Sequence, residues 1–172
     1  SIRYATRTPH DGAEMTPCVL AGPTCDSADV LYEKMPYPLP VTLEIGDKLV
    51  ALADEFPAEQ YDFRPTPDTR SFAEHLRHVA FWNQYLLATL RGETADGDAN
   101  ELAAAAFSTK REIGEGLRGS VAAVGRAIGL GKGDLDEAST GSIVAFIEHN
   151  GEHYGQLGLI FRLRGLVPPA SR

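Results

Sequence analysis

The hydrophobic pattern changes character along the chain. Residues 1 to about 48 show short apolar runs, "IRYATR" (2–7), "PCVLAG" (17–22) and "VTLEI" (41–45). These are set among two concentrations of proline, in "TPCVLAGPTCDS" and "KMPYPLPVTLEIGD". Proline removes a backbone donor and breaks helices, so this part reads as strands and turns. From Leu49 onward apolar residues recur at three- and four-residue spacing among strong helix formers, which is the period of a helix with one buried face. Four helices are predicted, over 42–56, 70–91, 101–129 and 139–164. The first stops before Pro57, and its start is ambiguous because "VTLEIGD" also reads as a strand ending in a turn. The second opens on Ser71 with Glu74 three residues on, the spacing of a capping box, and ends at Gly92. The third is weakened by Gly114, Gly116, Gly119 and Gly125. The fourth is stopped by Gly165 and two prolines. The expected fold class is therefore mainly α: a four-helix bundle with an N-terminal β- and turn-rich extension.

Composition narrows the function classes. The chain has 172 residues, of which 43% are hydrophobic, enough for one domain with a real core or a small domain with an appendage. The formal net charge of −8 argues against nucleic-acid and anionic-membrane partners, which need a basic face. No run of 18 apolar residues exists, so no membrane-spanning helix is expected. The first residues show no charged segment followed by an apolar stretch, so no signal peptide and a cytoplasmic location are expected. Cys18 and Cys25 share one early segment. They could pair, but two cysteines do not make a secreted disulfide framework.

The candidate chemistry lies in the histidines. His10 stands in the strand-like part with no partner pattern. In the fourth helix, "EHNGEHYGQL" (148–157) puts His149 and His153 four residues apart, hence on one face, with Ala145 and Gln156 continuing the stripe. That helix is apolar on nearly every side, so two imidazoles within it need partners, and a divalent ion would use both lone pairs at once. Two ligands are too few for tight binding, and the second helix offers His75 and His78. A helical wheel puts His75 nearer the line of Phe72, Leu76, Val79 and Leu86, and His78 on the side of Trp82 and Tyr85. Spacing alone does not choose, and slightly favours His75. The bland alternatives are a solvated His75 between Glu74 and Arg77, and Tyr154 as a core residue.

Two segments, "LVALADEFPAEQYDFRPTPDTRSFAEHLRHVAFWN" and "EHNGEHYGQLGLIFRLRGLVPPASR", bring in a resemblance. Over residues 49–172 the chain resembles the DinB-like superfamily of metal-binding four-helix bundles, which is unrelated to the DNA polymerase of similar label. In that family a histidine precedes a hydrophobic–alanine pair in the second helix, and an HxxxH lies in the last. The resemblance thus implies His78, followed by Val79 and Ala80, together with His149 and His153 as the metal ligands. Its characterised members include thiol S-transferases and a mycothiol-dependent isomerase. Residues 1–48, and "GPTCDSADVL" above all, resemble the C-terminal β-domain of the pyridoxal-phosphate-dependent ornithine and diaminopimelate decarboxylases. In that family the residues matching Cys25 and Asp26 reach a partner subunit's active site. The lysine-bearing barrel and the phosphate loop have no counterpart here, so no pyridoxal phosphate and no independent activity are expected of this segment. The combination reads as a fusion or chimera.

The expectation that follows is a divalent transition metal, zinc or nickel first and iron next, held by His78, His149 and His153. Three neutral imidazoles leave coordination positions open, as in catalytic zinc sites. The partner expected is a small electrophilic substrate, with a low-molecular-weight thiol or water as nucleophile. Gln156 is a candidate to orient a ligand or fix a histidine tautomer. Glu148 and Glu152 are general-base candidates by proximity alone, and a solvated face is the simpler reading for both. The rival readings are a metal-binding or structural bundle without turnover, and an N-terminal β segment that serves packing or homodimerisation through exposed strand edges. Metal release is expected as pH falls from about 6.5 toward 5, with the metal-free form much less sensitive.

Overall fold

The computed structural model describes residues 39–129 and 136–172. The chain separates into two compact units, Ser1–Lys34 and Met35–Arg172, and all the described residues belong to the second. Four helices build it: α1 (Leu39–Glu55), α2 (Phe72–Leu90), α3 (Lys110–Gly129) and α4 (Glu137–Leu163). No strand occurs among the described residues. The strand-like runs at 2–7 and 17–22, His10 and both cysteines lie outside those residues. "VTLEI" (41–45) lies inside α1 and is helical, which resolves its ambiguity. In the helix Ile45 packs against one core cluster and Leu43 against the other, two directions that a single strand face would not serve. α1 runs without a break across residue 48, where the change of character is read from the sequence.

The helix ends follow local chemistry. At the start of α2 the Ser71 side chain accepts from Glu74 N–H while the Glu74 carboxylate accepts from Ser71 N–H, a complete capping box. At its end Gly92 adopts φ +71°, Glu93 N–H reaches Ala88 O and Gly92 N–H reaches Thr89 O. This is the left-handed closing turn that glycine makes at no steric cost. Gly165 ends α4 the same way, at φ +74°. α3 begins nine residues later than the periodicity predicts, at Lys110 rather than 101. A second capping box sets it: Glu112 N–H donates to Thr109 Oγ1 and Thr109 N–H to Glu112 Oε2. The alanines before it lie in turns, because a helix begins where its first amides find acceptors.

Two buried clusters fix the helix directions. Leu49 and Leu52 of α1 with Phe56 just past its end, Phe72 and Leu76 of α2, Ile113 and Leu117 of α3, and Leu157 and Phe161 of α4 meet in one. Within it the Phe56 and Phe72 rings stack at 3.9 Å between centroids. Leu86, Leu87, Val124, Ile128, Ile143 and Phe146 meet in the other, with Leu43 packed against them. So α2 and α3 run parallel, as do α1 and α4, and the two pairs oppose one another. Parallel neighbours cannot be joined by a tight turn. The 19 residues of α2 rise about 28 Å, and residues 91–109 recross that distance. α1 and α3 approach closely, with Val121 against Gly46 and Leu43 against Gly125. No helix among the described residues is long and apolar enough to cross a membrane.

Candidate metal centre

The histidines of the interior gather where α2 faces α4. His75, His78 and His153 are each 6% exposed, and His149 is half-buried. Antiparallel packing sets His78 against His149 and His75 against His153, one helical turn apart. His78 Nε2 lies 2.9 Å from His149 Nε2, which lies 3.2 Å from His153 Nε2. Ligand atoms of His78, His149 and His153 all fall within 4.8 Å of one another. Nitrogens each about 2.0–2.1 Å from one ion would stand roughly 2.9–3.4 Å apart at angles of 90–109°. The two close pairs fit that spacing, so the residues present suit a divalent ion. No carboxylate joins this cluster among the described residues.

The protonation of His78 is set by the chain itself. His78 Nδ1 lies 2.5 Å from the carbonyl oxygen of Asn100. A carbonyl only accepts, so the proton sits on Nδ1 and the Nε2 lone pair points into the cluster. Asn100 adopts φ +56°, which asparagine tolerates better than most residues, and its side-chain Oδ1 accepts from Trp82 Nε1 at 3.0 Å. The recrossing segment is tied down nearby by Leu102 N–H to Arg77 O and by the buried Arg77 side chain toward Glu101 and Phe107 O. The Nδ1 of His149 is buried with no well-formed hydrogen bond, and the buried Asn150 side chain is the polar group acting on that ring.

Burial disfavours the imidazolium. It lowers His75 and His78 to about 4 and His153 to about 3, and it lowers His149 as well. The charge of Arg70 and the mutual repulsion of the rings act in the same direction. The rings are therefore neutral at pH 7, as ligation requires.

Two openings flank the cluster along the α2–α4 groove. A pocket of about 350 Å³ lies beside His149, walled by Trp82, Tyr85, Leu86, Ala145 and Phe146. A pocket of about 770 Å³ lies beside His75 at the other end, lined by Arg64, Arg70, Glu74, Asn100 and Gln156 among others. The expected stripe from Ala145 through the HxxxH to Gln156 thus follows the groove.

The other candidates fall as follows. His75 is not a solvated residue between Glu74 and Arg77: it is buried, with Nδ1 at 3.1 Å from His153 Nδ1. Gln156 is exposed at the larger pocket. It has no hydrogen bond to a histidine among the described residues. Glu148 and Glu152 are exposed, and Tyr154 packs against the first core cluster. Asn100, whose carbonyl meets His78, is the position at the cluster that periodicity misses. Its only sequence signal is the turn-forming run "DGDAN".

Comparison with curated proteins and with solved structures finds no match. Residues 2–53 match the pyridoxal-dependent decarboxylase C-terminal sheet domain, a match that overlaps α1 and otherwise lies mostly outside the described residues. Residues 43–157, which hold α2, α3 and all four clustered histidines, match the DinB superfamily, and the chain belongs to that superfamily.

Proposed function

We propose that His78, His149 and His153 hold one divalent transition metal, zinc or nickel, and that the protein is a metal-dependent enzyme acting on a small electrophile with a thiol or water as nucleophile. The observation that carries this reading is the convergence of three neutral imidazoles from two helices within 4.8 Å, beside a pocket that reaches His149. A metal held by three imidazoles supplies Lewis acidity and lowers the pKa of a bound water or thiol. The protein's own part is to hold the lone pairs inward, as Asn100 does for His78, and to exclude bulk water with the Trp82–Tyr85–Phe146 wall. That wall suits an apolar substrate portion. No pyridoxal chemistry enters this reading.

The absence of a carboxylate from the cluster favours a second reading, a metal-binding bundle without turnover. Metal analysis of protein purified without a histidine tag tests the shared part. One ion per chain is expected, lost in His78→Ala, His149→Ala and His153→Ala. Full metal content in His153→Ala would overturn the ligand set. Zinc- or nickel-dependent consumption of a thiol in the presence of small electrophiles, absent from the same variants, separates enzyme from passive binder.

A further inference from the structure

His75 lies outside the triad, yet it sits directly against one of its members. Its ring is buried on α2 one turn before His78, and its Nδ1 faces the Nδ1 of His153 at 3.1 Å. His153 meanwhile presents Nε2 to His149. The two nitrogens of His153 are thus divided between two neighbours. A histidine that ligates through Nε2 while neutral must carry its proton on Nδ1. That proton needs an acceptor inside the bundle, where an orphaned donor is destabilising. Only one of two facing Nδ1 atoms can hold the proton between them. We propose that His75 is a positioning residue: it accepts the Nδ1–H of His153 and so fixes the tautomer and ring plane that aim the His153 lone pair at the metal. The proposal rests on the triad reading above.

The partner arrangement at His78 supports the assignment. There the same task falls to a backbone carbonyl, that of Asn100. Two of the three ligands thus have their outer nitrogen engaged, one by main chain and one by a fourth imidazole, while that of His149 has no well-formed hydrogen bond. His75 also lines the larger pocket. The ring that orients a ligand is therefore itself within reach of whatever occupies that pocket.

The test uses zinc and the full chain. Zinc affinity is measured by chelator competition for wild type, His75→Ala and His75→Asn, with a thermal melt of each metal-free protein as a folding control. Loss of such a partner lowers metal affinity about 10- to 100-fold. His75→Ala should show that loss while still binding one zinc per chain at saturation. His75→Asn, whose amide oxygen can accept, should recover part of it. On zinc-loaded wild-type protein, ¹⁵N spectra of the imidazoles should show His153 protonated at Nδ1, with coupling across the hydrogen bond to His75 Nδ1. This last readout needs no variant to fold. Unchanged affinity in His75→Ala, or a His153 protonated at Nε2, would overturn the proposal. So would a folded His75→Ala that takes up no zinc at saturation, since His75 would then be a ligand. A wild type that binds no zinc would remove the triad reading itself, and the proposal with it.

Discussion

Four imidazoles held neutral in one buried seam make the protein sensitive to acid whether or not metal is present. In the unfolded chain each takes up a proton near pH 6.5, whereas burial holds His75 and His78 to about 4 and His153 to about 3. Between those limits the unfolded state binds more protons, so stability is greatest above pH 6.5 and falls as pH drops toward 4. The metal-free form, expected from the sequence to be much less sensitive between pH 6.5 and 5, thus carries an acid sensitivity of its own, because burial keeps the rings neutral. In melts with and without chelator, both forms should lose stability between pH 6.5 and 4. The metal-loaded curve should start higher and fall more steeply as protons displace the ion. A chelated form that melts unchanged across that window would show that the rings are not buried neutral. Asn100 offers a second check. Asn100→Ala loses the acceptor for Trp82 and places alanine at φ +56°, for about 2 kcal/mol in denaturant unfolding. Asn100→Gly should lose about half as much, because only the hydrogen bond goes. The HxxxH pair was legible from spacing, but the choice between His75 and His78 was not. Residues three apart differ by about 60° around a helix, and a helix buried broadly enough turns both inward. The wheel's slight preference for His75 therefore does not separate them, since both are buried.

Helix ends carry much of the information in this bundle, and they were unevenly readable. The α2 limits follow from Ser71, Glu74 and Gly92, whose chemistry is local. The α3 start was missed although Thr109 and Glu112 carry the same signal, because apolar periodicity through the alanine run outweighed it. Ser71→Ala should lower stability by about 1 kcal/mol, read as a shift in urea midpoint without a change in slope. The close α1–α3 crossing answers a different question, why glycines are tolerated within helices. A methyl group added at Gly46 would stand 2.5 Å from Val121 Cγ1. Gly46→Ala gains helix propensity of about 0.5–1 kcal/mol but forces the helices apart, at about 1–3 kcal/mol. The expected net result is a less stable protein by about 1 kcal/mol. A more stable variant would mean that Val121 turns aside at little cost.

At the scale of the whole molecule, the number of helices was legible and their connectivity was not. Periodicity shows which face of a helix is buried but not which neighbour covers it. The parallel pairing of α2 with α3 emerges only from which residues share a cluster. The four clustered histidines among the described residues all lie within Met35–Arg172. Deleting residues 1–34 should therefore leave one metal per chain and a cooperative melt, and loss of either would show that this unit completes the bundle. The parallel pairing has a last consequence, for the lifetime of the bound state. Residues 91–109 carry the acceptor that orients His78, yet apart from Leu102 and Phe107 they add little to the two clusters. Releasing this strap would break the Asn100 and Leu102 hydrogen bonds and withdraw Leu102 and Phe107 from the first cluster, without touching the helix-to-helix contacts of either cluster. Such partial opening has a smaller free energy than global unfolding. Amide exchange in 91–109 is then expected to run far ahead of that in the core of α2. The residence time of a metal at the site would be timed by the strap rather than by the bundle.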